Sequence, residues 1–394
     1  MKIKVGVLFG GKSVEHEVSV ITAIQAINAF DKEKYDIVPI YITREGDFYC
    51  GPDVGKIESY RDIKALVSRS VRVLPMGEKG RMKLLRQPPK MFGNNVFDVI
   101  DVAFPAVHGT NVEDGALQGY LQTLGVPYVG CDVLASALGM DKYAMKAVLK
   151  DSGIPVLPCV RFDVKRWSRK RDELIEELEG ALRYPVIVKP VNLGSSIGIK
   201  IARNREGLIE AVDYAFNYAT IVIAENAISN LREINCSVLG DYETAEASEC
   251  EEPINTDEIL SYEDKYGGGD GKSGGGKGMS GLKRLLPAPI SPELREEVRT
   301  LAIKTFKVLG ASGVARIDFL LDKDDMKLYV NEINTIPGSL SFYLWEAIGV
   351  KYPELLDRLI SLALKREREA ADISYSFETN ILANFGGGLK GGKQ

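Results

Sequence analysis

The chain has 394 residues, which corresponds to two or three domains at about 150 residues each. Apolar residues form 45% of it and charged residues 27%, a composition that excludes general disorder. With 50 basic and 55 acidic residues the net charge is −5, and this mild acidity argues against nucleic acid or an anionic membrane as the main partner. Apolar runs stay below the ~18 residues that span a bilayer, and the first residues do not resemble a signal peptide, so we expect a cytoplasmic protein.

Few sulfur and imidazole side chains are available for metal chemistry. The five cysteines are scattered without a C-x-x-C pair, which argues against a disulfide framework or a zinc knuckle. The two histidines are His16 and His108, so we expect oxygen ligands to hold any metal. Such a metal should be a hard ion such as magnesium.

The first third of the chain alternates strand and helix patterns. The predicted elements are strands at 3–9, 36–42 and 97–107, a helix carrying Val20, Ile24 and Ile27 on one face, and a helix over about 114–124. This alternation predicts the α/β class with an open parallel sheet, which binds ligands at the carboxyl ends of its strands. Gly10-Gly11 and His108-Gly109 both fall at such ends.

The remainder has a more antiparallel, α+β character. Its predicted elements are a helix over about 133–151, strands at 186–190, 197–202, 219–225, 232–240, 315–321 and 327–334, and a polar helix over 292–309. Residues 267–281 and the tail beyond about 371 are rich in glycine. Because glycine loses much backbone entropy on ordering, we expect neither segment to form regular structure.

Two turns combine glycine with lysine and serine, as phosphate-binding loops do. Gly271-Lys272-Ser273 lacks the earlier glycine of a P-loop, because Tyr266 occupies that position, and we interpret the segment as a mobile loop. Lys189 ends a predicted strand and precedes the small residues Gly194 to Ser196. Its ammonium group and the backbone N–H groups of the turn suit a phosphate, although an ordinary surface hairpin gives the same pattern.

Polar side chains also alternate along two predicted strands near the C-terminal end. Arg316 and Asp318 lie two residues apart on one strand, as do Glu332 and Asn334 on the next, so each pair shares a face. Two carboxylates and an amide oxygen suit magnesium, and the arginine could balance charge in a transition state. The alternative is a salt-bridged solvent face, which the apolar residues between them disfavour.

Four further positions lie near the predicted strand ends of the first sheet. Glu15 follows the Gly-Gly turn and is either a site residue or a helix cap. His108 is either a buried turn histidine or an active-site base. For Glu113 and Asp114, at the start of a predicted helix, we favour a structural role, since acidic residues there interact well with the helix dipole.

These motifs together resemble the D-alanine–D-alanine ligases, members of the ATP-grasp superfamily. The matching segments, in chain order over roughly residues 3–360, are G10-G-K-S-V-E15-H-E-V-S19, H108-G-x-x-x-E113-D-G115, M140-D-K142, V188-K-P-x-x-x-G194-S-S196, R232-E-I-N235, Y262-E-D-K-Y266, R316-I-D318 and N331-E-I-N-T-I-P-G338. Any one of these strings would be weak, whereas eight of them in order are specific.

The resemblance implies a three-domain ATP-grasp architecture. We expect an N-terminal Rossmann-like domain at 1–138, a central subdomain at 139–228 and a C-terminal catalytic domain at 229–370. That last domain would include a mobile lid at about 260–285, and a flexible tail would occupy 371–394. Family members are commonly homodimers, so we expect a homodimer here as well.

The resemblance also implies an ADP-forming reaction that makes D-alanyl-D-alanine for peptidoglycan from D-alanine and ATP. One D-alanine carboxylate attacks the γ-phosphate to give an acyl phosphate, and the amine of a second D-alanine then displaces phosphate. The nucleotide contacts that it implies are Lys142, Lys189, Ser196 and Lys265 at the phosphates and Glu225 and Glu233 at the adenine and ribose.

Substrate and metal residues are implied in the same way. Glu15, Ser195 and Tyr266 would form a hydrogen-bonded triad beside the first D-alanine, with His108 nearby, and Arg316 and the Gly338 N–H would stabilise the oxyanion. The implied ligands of two magnesium ions, for which manganese could substitute, are Asp318, Glu332 and Asn334.

Two departures from the family pattern concern the lid and the second substrate. The lid is expanded with glycine and lysine, and the family's serine for the second carboxylate falls on Tyr343. We expect Ser339 or Ser341 to supply that hydroxyl. Two alternatives remain open: a ligase that joins D-alanine to D-serine or D-lactate, and a non-catalytic nucleotide sensor with this fold.

Overall fold

The computed structural model describes residues 2–194, 197–254 and 284–374. Its strands there are β1 (Ile3–Gly10), β2 (Tyr35–Ile42), β3 (Phe48–Cys50), β4 (Val71–Glu78), β5 (Arg81–Arg86), β6 (Val96–Ile100), β7 (Val102–Pro105), β8 (Cys159–Asp163), β9 (Val186–Pro190), β10 (Lys200–Ala202), β11 (Ile221–Asn226), β12 (Leu231–Gly240), β13 (Ala245–Pro253), β14 (Arg284–Leu285), β15 (Gly313–Asp322) and β16 (Lys327–Asn334). Its α-helices there are α1 (His16–Ala29), α2 (Ile63–Arg69), α3 (Ala116–Thr123), α4 (Val133–Met140), α5 (Lys142–Asp151), α6 (Val164–Arg169), α7 (Arg171–Ala181), α8 (Arg205–Ala215), α9 (Pro292–Val308), α10 (Phe342–Glu346) and α11 (Tyr352–Ala371).

The first sheet is mixed rather than wholly parallel. Its order is β6-β5-β4-β3-β2-β1-β7, and β1 is parallel to both of its neighbours. The other pairs are antiparallel. Short connections join β2 to β3, β4 to β5 and β5 to β6, whereas the connection from β3 to β4 includes α2. A parallel pair needs a crossover such as α1. The parallel arrangement that the sequence predicts therefore extends over three strands.

The predicted strand at 97–107 is in fact two strands, β6 and β7, that pair with different neighbours. Asp101 separates them, and its side chain accepts a hydrogen bond of 2.9 Å from the N–H of Lys4 while its own N–H donates to the carbonyl of Lys4. The predicted helix at 133–151 is likewise two helices, divided at Asp141. Of the strand predicted at 197–202, residues 200–202 adopt strand structure.

Two further sheets have the antiparallel character that the sequence predicts. The second has the order β10-β9-β11-β8, and the third has the order β14-β13-β12-β15-β16. Three buried clusters accompany the three sheets. The first cluster also contains α11, through Leu355 and Leu359, and the second contains α5, through Met145 and Leu149. The domain boundaries stay a prediction, but this packing attaches the last helix to the first sheet.

Several sequence predictions fall on residues outside the described ranges. These are Ser195, Ser196, Lys265, Tyr266, the Gly271-Lys272-Ser273 segment, the lid up to residue 283 and the tail from residue 375. The last two residues of the expected lid segment are described and form β14, which pairs with β13. In the described part of the chain no helix has both the length and the apolar character that crossing a membrane requires.

Candidate active site

Two adjoining compartments open between the three sheets, and polar residues line both. Glu15, His108, Arg316 and Tyr343 line the first compartment. Lys189, Glu225 and Arg232 line the second, whose cavity volume of about 700 Å³ lies within the ~300–1,000 Å³ of small-ligand sites. The residues that line both are Lys142, Leu193, Gly194, Glu233, Asn235, Pro253, Asp318 and Glu332.

The loops that follow β1 and β7 meet at one end of the first compartment. A side chain on Gly109 would place its Cβ 2.2 Å from the Oγ of Ser13 and 2.8 Å from the Oε2 of Glu15, so only glycine allows the loops to approach this closely. Glu15 is 9% exposed and occupies the N-cap position of α1 without a capping hydrogen bond from its side chain. Its carboxylate therefore faces the loop junction instead of capping the helix.

His108 is a buried histidine that connects this junction to the turn after β16. Its Nε2 lies 2.8 Å from the Oγ1 of Thr22, which in turn accepts a 3.0 Å hydrogen bond from the N–H of Ser339. Burial, together with the charge of Arg316, lowers the pKa of His108 to about 4 against an opposing hydrogen bond to the backbone of Ile336. The imidazole is therefore neutral at physiological pH.

The turn held by Thr22 is strained. Ser339, Leu340 and Ser341 have φ values of 53°, 53° and 50°, a left-handed conformation that costs non-glycine residues ~1–2 kcal/mol each. Ser339 and Ser341 are buried at 2% and 0% exposure, and neither lines a compartment. The Oγ of Ser341 has no hydrogen-bond partner among the described residues. Both serines are therefore buried beneath the surface that lines the first compartment, whereas Gly338 and Tyr343 are part of that lining.

Glu113 joins the first sheet to the third. Its Oε2 accepts from the N–H of Gly109 at 2.9 Å, and its Oε1 accepts from the N–H of Ile336 at 2.9 Å and from the hydroxyl of Thr335 at 3.3 Å. Burial raises the pKa of Glu113 to about 8, and the nearby charge of Glu15 adds to the effect against these hydrogen bonds. Its structural role is therefore a clamp at the compartment wall.

Lys142 lies at the boundary between the compartments because α5 begins there. The side chain of Asp141 accepts hydrogen bonds from the N–H groups of Tyr143 and Ala144, which starts a new helix at Lys142. The Lys142 ammonium donates to the carbonyl of Leu193 at 2.8 Å and lies 3.2 Å from the carboxylate of Glu332. It thereby connects the first helix of the central region to the edge strand of the third sheet.

Lys189 and Glu225 form a buried ion pair in the second compartment, with Lys146 as a second cation. Glu225 is fully buried and accepts hydrogen bonds from both ammonium groups, one on each carboxylate oxygen. Burial alone would raise its pKa, but the two lysines outweigh that effect and lower the pKa to about 2. Lys189 also lies 3.3 Å from the Oδ1 of Asn331 on β16.

A row of polar side chains crosses the third sheet toward the cavity. The ladder register pairs Glu251 with Asn235, Asn235 with Asp318, and Asp318 with Glu332, so the four share a face. Two residues away along β15, and so on the same face, Arg316 pairs with Asn334 and forms two hydrogen bonds, of 2.6 and 2.7 Å, to the carboxylate of Asp318. The structure thus brings together the four residues that the sequence singles out here.

The donor set at this row fits a hard metal ion. Asp318 and Glu332 offer carboxylate oxygens and Asn334 an amide oxygen, the ligand types that magnesium prefers. Among the described residues, no group of three or more His, Cys, Asp or Glu side chains is arranged to hold a metal. The set proposed here is of a different kind, because its third ligand is the amide of Asn334. Arg316 and Lys142 are paired with those carboxylates at 2.6 and 3.2 Å, which keeps positive charge beside them.

Several functional candidates were not predicted from the sequence. Asn235, Glu251 and Arg284 line the first compartment, and Thr22 and Lys146 contact the lining residues His108 and Glu225 from behind. Two of them carry a signal: Asn235 is two residues from Glu233 on one strand, and Lys146 is one helical turn after Lys142. Glu251 and Arg284 have no local signal, because strand pairing alone brings them to the site.

Comparison with known sequence families agrees with this geometry. The sequence model described as D-ala D-ala ligase N-terminus matches residues 4–131, and the one described as D-ala D-ala ligase C-terminus matches residues 148–361. The chain belongs to the D-alanine–D-alanine ligase family. The resemblance that the motifs indicate is therefore confirmed.

Relatives match the chain over nearly its whole length. A D-alanine–D-alanine ligase of Caldicellulosiruptor bescii is 41% identical over 381 residues, covering 96% of this chain and 99% of its own. One of Thermoanaerobacter sp. is 43% identical, covering 93% and 98%. Among solved structures, the ligase from Coxiella burnetii has a TM-score of 0.78 at 29% identity and 98% coverage of both chains. The VanG D-Ala:D-Ser ligase from Enterococcus faecalis has a TM-score of 0.76 at 32% identity, covering 92% of this chain and 100% of its own. These similarities confirm the ATP-grasp fold that the motifs imply.

Proposed function

We propose that this chain is an ATP-dependent ligase that joins two D-alanines into D-alanyl-D-alanine for peptidoglycan. The observation that carries the proposal is the row Asn235, Asp318 and Glu332 on the wall common to both compartments, with Arg316 beside it. A phosphoryl transfer followed by attack of an amine needs this arrangement, in which one group of charges faces both a nucleotide and an amino acid. In this proposal the partners are D-alanine and ATP, and the enzyme is a cytoplasmic homodimer.

In the second compartment the lysines would neutralise the phosphates of ATP. Lys142 and Lys189 each have one carboxylate partner in the described structure, Glu332 and Glu225 respectively, from which a phosphate could draw the ammonium group. Glu225 would keep a cation when Lys189 turns to a phosphate, because Lys146 holds its other oxygen. Glu233 lines the same compartment and would contact the nucleotide as well.

In the first compartment the chain would orient the amino acids and offset negative charge. Arg316 and the backbone N–H of Gly338 lie on the wall where an oxyanion would form. Burial alone would lower the pKa of Arg316, but the carboxylate of Asp318 outweighs it and holds that pKa well above its usual value. Glu15 would meet the ammonium group of the first D-alanine. Asp318, Glu332 and Asn334 would hold magnesium or manganese, which supplies charge neutralisation at the phosphates when bound.

A second candidate is a ligase that joins D-alanine to a different acceptor, D-serine or D-lactate. It is favoured by Tyr343, whose hydroxyl donates to Glu251 at 2.9 Å and is thereby engaged within the protein. The similarity to the VanG D-Ala:D-Ser ligase also supports this candidate.

One assay distinguishes these candidates from a sensor. The protein is incubated with ATP, magnesium and D-alanine alone, or with D-alanine plus D-serine or D-lactate, while phosphate release and the products are measured. We expect phosphate and D-alanyl-D-alanine from D-alanine alone, and at least a ~100-fold loss of turnover in Glu332→Gln with the fold retained. Product only with a second acid would support the second candidate. A lack of phosphate release with every acid would leave only the sensor.

A further inference from the structure

One end of the first compartment is formed by an arginine stacked on a tyrosine. The guanidinium carbon of Arg284 lies 4.0 Å from the ring centre of Tyr343, within cation–π range. Glu251 contacts both residues, with one oxygen 3.4 Å from the Arg284 guanidinium and the other accepting the Tyr343 hydroxyl. Asn235 donates a 3.1 Å hydrogen bond to the same carboxylate. These contacts hold the tyrosine ring and the guanidinium plane in place.

The positive charges of this compartment are distributed over two regions. Lys142 lies beside Glu332, and Arg316 is bound through two hydrogen bonds to Asp318, so both belong to the phosphate side. Arg284 lies instead against the face of the Tyr343 ring.

The acceptor of the proposed reaction brings a carboxylate into this compartment. That group takes no part in bond formation, since the amine is what attacks the acyl phosphate, and it must therefore stay bound away from the reacting atoms. A buried carboxylate needs a cation or hydrogen-bond donors, because its desolvation is otherwise costly. A planar guanidinium offers two parallel N–H donors that match a carboxylate.

We propose that Arg284 binds the carboxylate of the acceptor amino acid and makes that carboxylate a requirement for the second substrate. The inference rests on the proposed function, since it assigns a residue to the acceptor half of that reaction. The Tyr343 ring supports the guanidinium from one side, and Glu251 fixes its orientation. Ser339 and Ser341, which we expected from the sequence to contact the acceptor, lie behind the wall and have no part in this subsite.

The test uses D-alaninamide, which has the acceptor's amine but no carboxylate and so cannot act as the donor. With labelled D-alanine as the donor, the wild-type protein should prefer D-alanine to D-alaninamide as the acceptor by about 10–100-fold, the ratio expected for one charge-assisted contact. Arg284→Met should lose most of this preference through a raised acceptor KM, with kcat and the KM for ATP changed little. Arg284→Lys should restore part of it.

Arg295→Met is the matched control, because it removes an arginine that pairs at 3.5 Å with Glu249, a glutamate on the same strand as Glu251 but outside both compartments. It should keep the wild-type preference. An Arg284→Met protein that is active and still discriminates like the wild type would overturn the assignment of Arg284. A wild-type protein that releases no phosphate with D-alanine would instead overturn the proposed function, and the inference with it.

Discussion

Glu113 shows how a single buried carboxyl can connect two sheets. Each of its oxygens accepts a hydrogen bond from the backbone of a different sheet's loop, Gly109 on one side and Ile336 on the other. Burial nevertheless raises its pKa to about 8, so below that pH the folded protein keeps a proton on this group. The unfolded chain releases the same proton near pH 4.5.

This difference in pKa predicts how stability depends on pH. Between pH 4.5 and about 8 the folded state binds more protons at Glu113 than the unfolded state, so its contribution to the free energy of unfolding falls as the pH rises. The quantity to follow is the difference in the free energy of unfolding between the wild type and Glu113→Gln. We expect this difference to fall by up to ~1.4 kcal/mol per pH unit across this range and then to level off. Urea unfolding of both proteins from pH 5 to pH 9 measures the difference, in which other titrating groups cancel. Parallel curves would mean that Glu113 has an ordinary pKa.

At the scale of elements, the division between α4 and α5 determines where Lys142 lies. Asp141 has an extended backbone, with φ −89° and ψ 102°, and its side chain caps α5. The turn brings the N–H of Lys142 to the carbonyl of Val191 at 2.9 Å, next to β9. A continuous helix over 133–151 would have left the Lys142 N–H bonded within the helix.

Removal of this cap should affect both stability and nucleotide binding. We expect Asp141→Ala to lower the free energy of unfolding by about 1 kcal/mol and to raise the KM for ATP several-fold, because Lys142 is the first residue of the helix that the cap fixes. Asp132→Ala is the control: Asp132 caps α4 in the same way, through a 2.8 Å hydrogen bond from the N–H of Ala135. That variant should lose similar stability with the KM for ATP unchanged. An equal effect of the two variants on KM would contradict the role of the cap.

The sequence predicts elements well where one residue pattern decides them. The strand at 327–334 and the patch that Arg316, Asp318, Glu332 and Asn334 form with its neighbour follow from alternation alone. The breaks at Asp101 and Asp141 do not, because the deciding contact at each is a carboxylate that accepts hydrogen bonds from backbone N–H groups. Arg284 and Glu251 are distant in sequence, and only the pairing of β14 with β13 brings them together.

At the scale of the whole molecule, the cores are not divided in the way that chain order suggests. Helix α11 packs into the core of the first sheet, and Val314, Ile336 and Trp345 from the C-terminal part belong to that core as well. The central sheet has a separate core around Phe162 and Trp167. The first and third sheets therefore share buried surface, whereas polar contacts such as Lys189 with Asn331 connect the central sheet to them.

This division predicts two unfolding units, and the chain provides a reporter for each. Its two tryptophans are both buried: Trp167 lies in the central core, and Trp345 lies in the core that α11 joins. Trp345→Phe and Trp167→Phe each leave one tryptophan, whose fluorescence follows denaturant unfolding of its own unit.

A large-to-small substitution in either core should then affect one reporter. Leu359→Ala, at a buried position of α11, should lower the stability seen by Trp345 by ~2–5 kcal/mol and leave the transition of Trp167 in place. Leu208→Ala, at a matched buried position of the central core, should do the reverse. A nucleotide analogue that binds between the units should bring the two transitions closer together, because it stabilises only the state in which both are folded. The alternative result is that either substitution shifts the transitions reported by both tryptophans equally in the free protein. The three sheets would then unfold as one cooperative unit, coupled by the polar contacts as strongly as by a shared core.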